Sequence, residues 1–147
     1  MKKYVDFRGA VGDDALSALY RECDVFAMPS KGEGFGIVFL EAMSYGKPCI
    51  GGNHGGTPEV IDDGHDGFLV QHGDLDQLTE RLMELWANPE LRTALGERAR
   101  RKVLNRYMFS RMRANWIELL DETVTLPSRR HIPGNTRAAQ PHDSLGI

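Results

Sequence analysis

Short apolar runs alternate with helical patterns along the first half of the chain. Val5-Asp6-Phe7 reads as a short strand. Leu16, Leu19, Tyr20 and Cys23 recur at helical spacing, and Asp13 stands where a helix cap belongs. Val25-Phe26-Ala27-Met28 is apolar throughout, as expected of a strand covered on both faces, and Pro29 ends it. A helix is predicted from about Gly36 to Tyr45, with Gly46 as its terminating glycine. Pro48-Cys49-Ile50-Gly51 predicts a second buried strand, Thr57-Pro58-Glu59 a cap, a first-turn proline and a short helix, and Phe68-Leu69-Val70 a last strand. Asp63-Gly64 and Asp66-Gly67 read as turns.

Helical spacing then dominates. Asp74 and Gln77 resemble a capping box that opens a helix with Leu75, Leu78, Leu82, Leu85 and Trp86 on one face. Asn88-Pro89 starts another, with Leu91, Leu95 and Ala99 inward, and a third is predicted to carry Phe109, Met112, Trp116 and Leu119 or Leu120. From about Pro127 the periodicity disappears. The expected division is a folded part over 1–124 and a disordered tail over 125–147. Strand–helix alternation implies parallel strands joined by right-handed crossovers: an α/β fold with a partial Rossmann-like, doubly wound parallel sheet, followed by carboxy-terminal helices. Ligands in such sheets bind beyond the carboxyl ends of the strands.

Composition narrows the classes. With 147 residues, 41% hydrophobic and 27% charged, the chain has the material for one core. A net charge of −3 argues against a nucleic-acid partner. No apolar stretch approaches a membrane span, and Met1-Lys2-Lys3-Tyr4-Val5-Asp6 places charge where a signal peptide would be apolar. Cys23 and Cys49 are expected as buried free thiols. A cytoplasmic enzyme fits these features.

The densest chemistry lies in Pro29-Ser30-Lys31-Gly32-Glu33-Gly34-Phe35-Gly36-Ile37-Val38-Phe39-Leu40-Glu41-Ala42, which joins a strand end, a glycine-rich turn and a helix start. Gly32, Gly34 and Gly36 would permit a sharp turn and close approach of a ligand to the backbone. The first N–H groups of the helix, around Phe35 to Val38, favour a phosphate. Carboxylates only accept hydrogen bonds, so Glu33 and Glu41 suit the hydroxyls of a ribose or hexose. Two glutamates at that separation are by themselves close to chance. His54 reads as a surface-loop residue with some prospect of ligand contact, Glu59 as complementing a helix start or contacting a ligand, and His65 and His72 show no zinc spacing. The basic run Arg98–Arg106, with Lys102, reads as a solvated helix face, with contact to anionic lipid or a partner as the weaker alternative.

Together with Val5-Asp6-Phe7-Arg8-Gly9, Asp24-Val25-Phe26, Glu33-Gly34-Phe35-Gly36, Glu41-Ala42-Met43, Gly46-Lys47-Pro48, Gly55-Gly56-Thr57-Pro58-Glu59 and Asp66-Gly67-Phe68-Leu69-Val70, this run resembles the family-4 retaining glycosyltransferases of the GT-B fold, from about Val5 to Leu120. The resemblance implies retaining transfer of a hexosyl group from a nucleotide sugar to a saccharide or lipid-linked acceptor, with no cofactor and no metal. It implies that Glu33, the candidate catalytic residue, holds donor-sugar hydroxyls. Gly34, Phe35, Gly36, Ile37 and Val38 would offer backbone to sugar and diphosphate, Glu41 would bind the ribose, and Ser30 would line the pocket.

The resemblance also places strands and the diphosphate-clamping basic residues ahead of Val5. The chain is therefore expected to be part of a larger or split enzyme, inactive alone, with an open sheet edge at Val25–Met28 and a separately encoded amino-terminal half as a candidate partner. Peripheral attachment at the inner membrane face would fit a lipid-linked acceptor. A catalytically inactive nucleotide-sugar-binding or docking module, and a sugar-nucleotide epimerase of the same fold, are the alternatives.

Overall fold

The structure is a computed structural model that describes residues 4–108 and 117. By internal contacts the chain separates after Arg113, and the elements below belong to the unit Met1–Arg113. Helix α1 (Asp13–Glu22) leads to strand β1 (Phe26–Met28). Helix α2 (Ile37–Ser44), strand β2 (Cys49–Gly52), the short helix α3 (Thr57–Val60) and strand β3 (Gly67–Val70) follow in turn. Helices α4 (Leu75–Ala87) and α5 (Pro89–Lys102) come next, and α5 runs into a π-helical turn, Val103–Tyr107. The three strands form one parallel sheet in the order β1-β2-β3, with Phe26 opposite Cys49 and Ile50 opposite Phe68.

Period-two alternation puts neighbouring β2 residues on opposite faces. Cys49 joins a core with Tyr20, Phe39, Met43, Val60 and Ala99. Ile50 joins another with Phe68, Val70, Leu85 and Leu95. Helices thus cover both faces, as the alternation predicts. The predicted inward residues of α5 pack as expected, with Leu95 and Ala99 fully buried. Gly46 closes α2 at φ 71°, its N–H bonded to the Met43 carbonyl. Gly96 lets α5 cross that end closely, because a Cβ there would run into the Gly46 carbonyl.

Several sequence expectations are corrected. Val5–Phe7 is not a strand. Val5 and Phe7 are exposed, and Asp6 pairs with Arg8 at 2.6 Å. An extended run needs a neighbour to take its N–H and C=O groups, and among the described residues none does. β1 is the outer strand of the described sheet, so Val25–Met28 is half-buried with Ala27 exposed, rather than covered on both faces. On α4, Leu78 is half-buried and Leu85 fully buried, while Leu75, Leu82 and Trp86 are exposed; Trp86 is 74% exposed.

Cap chemistry differs in detail. Gly12, not Asp13, caps α1, and Gly56, not Thr57, precedes α3. Asp74 does cap α4, accepting from the Gln77 N–H at 2.9 Å. Gln77 completes no box, because its side chain accepts from the Gln71 N–H instead. Asp66 closes the turn that follows Asp63, its N–H bonded to the Asp62 carbonyl at 3.1 Å, and Gly67 begins β3. Cys49 is buried and Cys23 half-buried; both are free thiols. The predicted helix with Phe109, Met112 and Trp116, and the predicted tail, lie outside the described residues.

The basic run is not wholly a solvated face. The Lys102 side chain is 8% exposed, and its ammonium lies 2.8 Å from both Asp62 and Asp66. It also donates to the Val60 carbonyl at 2.7 Å. Burial pulls the Lys102 ammonium downward, but its hydrogen bonds to Asp62 and Asp66 outweigh that and leave it above the ordinary lysine range. The hydrogen bond from Lys102 holds the Asp62 carboxyl below its ordinary range. The signs set a window. Lys102 contributes fully below the ordinary lysine pKa, and its contribution is lost as pH rises through its raised value. Asp62 contributes above the ordinary carboxylate pKa, and its contribution is lost as pH falls through its lowered value. Thermal unfolding against pH is expected to show stability falling on both flanks, and Lys102→Met is expected to flatten both. Unchanged flanks in that variant would show that other groups set them.

Candidate functional site

The sequence-selected residues lie at the carboxyl ends of β1 and β2, where an open parallel sheet places its ligands. Beyond β1, the Ser30 N–H turns back to the Met28 carbonyl at 2.8 Å. The Ser30 hydroxyl is buried without a hydrogen-bond partner among the described residues, so it retains bonding capacity for a group entering from outside. Glu33 is half-buried; Gly34 and Phe35 are exposed, and Phe35 meets the Tyr107 ring edge-on at 6.3 Å.

Gly36 is the cap of α2, at φ 80°. That left-handed conformation lets the chain swing from loop to helix within one residue, and a Cβ there would also press on the Phe39 ring at 2.9 Å. The helix therefore starts abruptly at Ile37, which is exposed, with Val38 half-buried behind it. As first residues of an α-helix, Ile37 and Val38 have N–H groups with no partner inside the helix. The Phe39 N–H is already bonded to the Gly36 carbonyl at 3.0 Å.

Gly32 and Gly34 play a different part from the one expected. Neither has a positive φ, and a Cβ on either would meet nothing within 4 Å. Only Gly36 meets the sharp-turn requirement. Gly32 and Gly34 have open space where a Cβ would stand.

Glu41 lies in the second turn of α2 on an exposed position, and one carboxylate oxygen, Oε2, accepts from the Tyr20 hydroxyl at 3.0 Å. Spacing alone could not reveal this partner, because Tyr20 reads in sequence as one more residue on the apolar face of α1. The structure also supplies a second wall that the sequence reading missed. Cβ atoms on Gly52, Gly55 and Gly56 would run into the backbone carbonyls of Ser30, Glu33 and Gly34, respectively. The loop after β2 therefore lies backbone-to-backbone against the glycine-rich turn, and the Gly56 N–H donates to the Glu33 carbonyl at 3.3 Å. The doublets Gly51-Gly52 and Gly55-Gly56 were the available signal of close approach. His54 and Asn53 stand exposed on this loop, and Glu59 lies in α3 with its carbonyl accepting from the Tyr107 hydroxyl at 3.2 Å.

A second group is excluded as a cation site by its own hydrogen bonds. Asp62, His65 and Asp66 can bring one donor atom each within 4.8 Å of one another. The Lys102 ammonium already bridges the two carboxylates, and a metal would have to displace it.

The family described as "Glycosyl transferases group 1" matches residues 1–102, and the chain belongs to that family. It resembles the N-acetyl-alpha-D-glucosaminyl L-malate synthase of Bacillus anthracis, with 39% identity over 64% of this chain and 25% of that protein. It also resembles a GDP-mannose-dependent alpha-(1-6)-phosphatidylinositol monomannoside mannosyltransferase of Mycolicibacterium smegmatis, with 34% identity over 80% of this chain and 33% of the other. Among solved structures it is similar to Anabaena HepE in complex with UDP, with TM-score 0.67 and 27% identity over 71% of this chain and 29% of that one. HepE is also known in complex with UDP-glucose. The fold is thus that of the carboxy-terminal domain of a GT-B glycosyltransferase. The chain spans a third or less of the length of these relatives.

Proposed function

We propose that this chain is the donor-binding part of a retaining glycosyltransferase. Glu33 holds hydroxyls of the donor sugar, the backbone at Gly34 to Val38 receives sugar and diphosphate, Glu41 binds the nucleotide ribose, and Ser30 lines the wall. The observation that carries this reading is the glycine-initiated start of α2 at the carboxyl end of β1, flanked by the two carboxylates. The free N–H groups of Ile37 and Val38 suit the charge that builds on the departing diphosphate. The carboxylates, as acceptors, suit the hydroxyls on either side of it.

The reaction we infer is transfer of a hexosyl group to a saccharide or lipid-linked acceptor without a bound metal. It requires an acceptor-binding portion corresponding to the rest of the relatives' length, on the same polypeptide or on a separately encoded partner. The 147 residues alone are expected to bind a nucleotide sugar without turning it over. Among the described residues no helix is long and apolar enough to cross a membrane. A cytoplasmic site of action, with peripheral contact to a membrane carrying the acceptor, is part of the same proposal.

Binding of UDP, GDP and their hexose conjugates to Glu33→Ala and Glu41→Ala tests the assignment. Glu33→Ala is expected to weaken the sugar conjugates more than the free nucleotides, and Glu41→Ala to weaken both. Loss of a hydrogen bond to a charged group, about 1.5–3 kcal/mol, corresponds to roughly ten- to a hundredfold. Equal and negligible effects of the two variants would sink the assignment.

A further inference from the structure

We propose that Tyr20 is a positioning residue for the nucleotide ribose, holding the Glu41 carboxylate in its binding orientation. This rests on the ribose-binding role of Glu41 given above and assigns a second residue to it. A glutamate on an exposed turn of helix has several rotamers, most of which point it into water. Here the Tyr20 hydroxyl donates to Oε2 at 3.0 Å from a helix that precedes Glu41 by 21 residues in sequence. The phenol is itself held: Tyr20 is 6% exposed, and its ring stacks on Tyr45 at 5.7 Å and 18° and tilts against Phe26 at 5.7 Å.

An ionised carboxylate has about four lone-pair sites, so one bond from Tyr20 leaves Oε1 available for the ribose diol. Fixing the acceptor before the ligand arrives lowers the ordering cost of binding. The donor also persists with pH. Burial first, and then the hydrogen bond to Glu41, push the Tyr20 phenol well above the ordinary tyrosine range, so it remains protonated at neutral and mildly alkaline pH. A tyrosine used only for packing would need its ring alone. The hydroxyl is what the proposal adds.

The experiment titrates UDP and GDP, and their 2′,3′-dideoxy counterparts, into the full chain as wild type, Tyr20→Phe, Glu41→Ala and the double variant. Tyr20→Phe keeps the ring and is checked for folding by thermal unfolding. It is expected to weaken the ribonucleotides by about three- to tenfold and to leave the dideoxy forms unchanged. In the double variant, the Tyr20→Phe change is expected to add nothing to Glu41→Ala, because the two residues act as one unit. Equal weakening of ribo and dideoxy forms, no weakening of either, or additive losses would overturn the proposal while leaving the ribose role of Glu41 standing. A wild-type chain that does not distinguish ribo from dideoxy nucleotides would overturn that role, and the positioning role with it.

Discussion

Replacing Asp66 with alanine is expected to destabilise the fold by about 3–5 kcal/mol, the usual cost of breaking a buried ion pair by removing one of its members. Asp66 is fully buried, and its two oxygens have separate tasks. Oδ1 accepts from the Asp62 N–H at 2.8 Å, and Oδ2 accepts from Lys102 at 2.8 Å. The alanine variant frees a backbone donor and leaves Lys102, whose side chain is 8% exposed, with only Asp62 and the Val60 carbonyl. Adding Lys102→Met to Asp66→Ala is expected to recover part of the loss, since it removes the stranded charge. Urea unfolding of the two variants measures both effects. A loss under about 1 kcal/mol for Asp66→Ala would place the pair in the regime of surface ion pairs and contradict its burial.

The second large effect separates two kinds of glycine. Gly56→Ala is expected to cost about 1–3 kcal/mol of stability, because the new Cβ meets the Gly34 carbonyl and, at 3.0 Å, the Phe35 Cα, and backbone yields less readily than a side chain. Parting the two loops would also displace Glu33, so nucleotide-sugar affinity should fall on the order of tenfold or more. Gly34→Ala has open space and an ordinary φ, and its unfolding should stay within about 0.5 kcal/mol of wild type. If a donor lies against the turn, that same change weakens binding with stability intact. A Gly56→Ala chain as stable as wild type would show that the loops are not pressed together. A Gly34→Ala chain with full affinity would move the ligand away from that face.

Much of the fold was legible because its determinants are local. The apolar alternation and the positions of Pro29, Gly46 and Asp74 are short-range signals, and the ends they predict are the ends observed to within a few residues. The same holds for the site's place: a glycine-rich turn after a strand must lie at a carboxyl edge in a parallel sheet. Reading failed where an element depends on a neighbour. Val5–Phe7 has strand-like composition but no strand beside it among the described residues, and the apolar stripe of α4 is only partly covered, with Leu85 buried and Leu75, Leu82 and Trp86 exposed.

The sequence by itself determined the class of fold, the order of its elements and the run that carries the candidate site, because periodicity, caps and turn glycines act over a few residues. The tertiary structure decided the pairings between distant positions: Tyr20 with Glu41, Lys102 with Asp62 and Asp66, and the loop after β2 with the turn after β1. No spacing encodes these contacts. They arise because crossover helices return the chain to an adjacent parallel strand, bringing side chains and loop backbones far apart in sequence to the same edge or core, where hydrogen bonding and close packing select their partners.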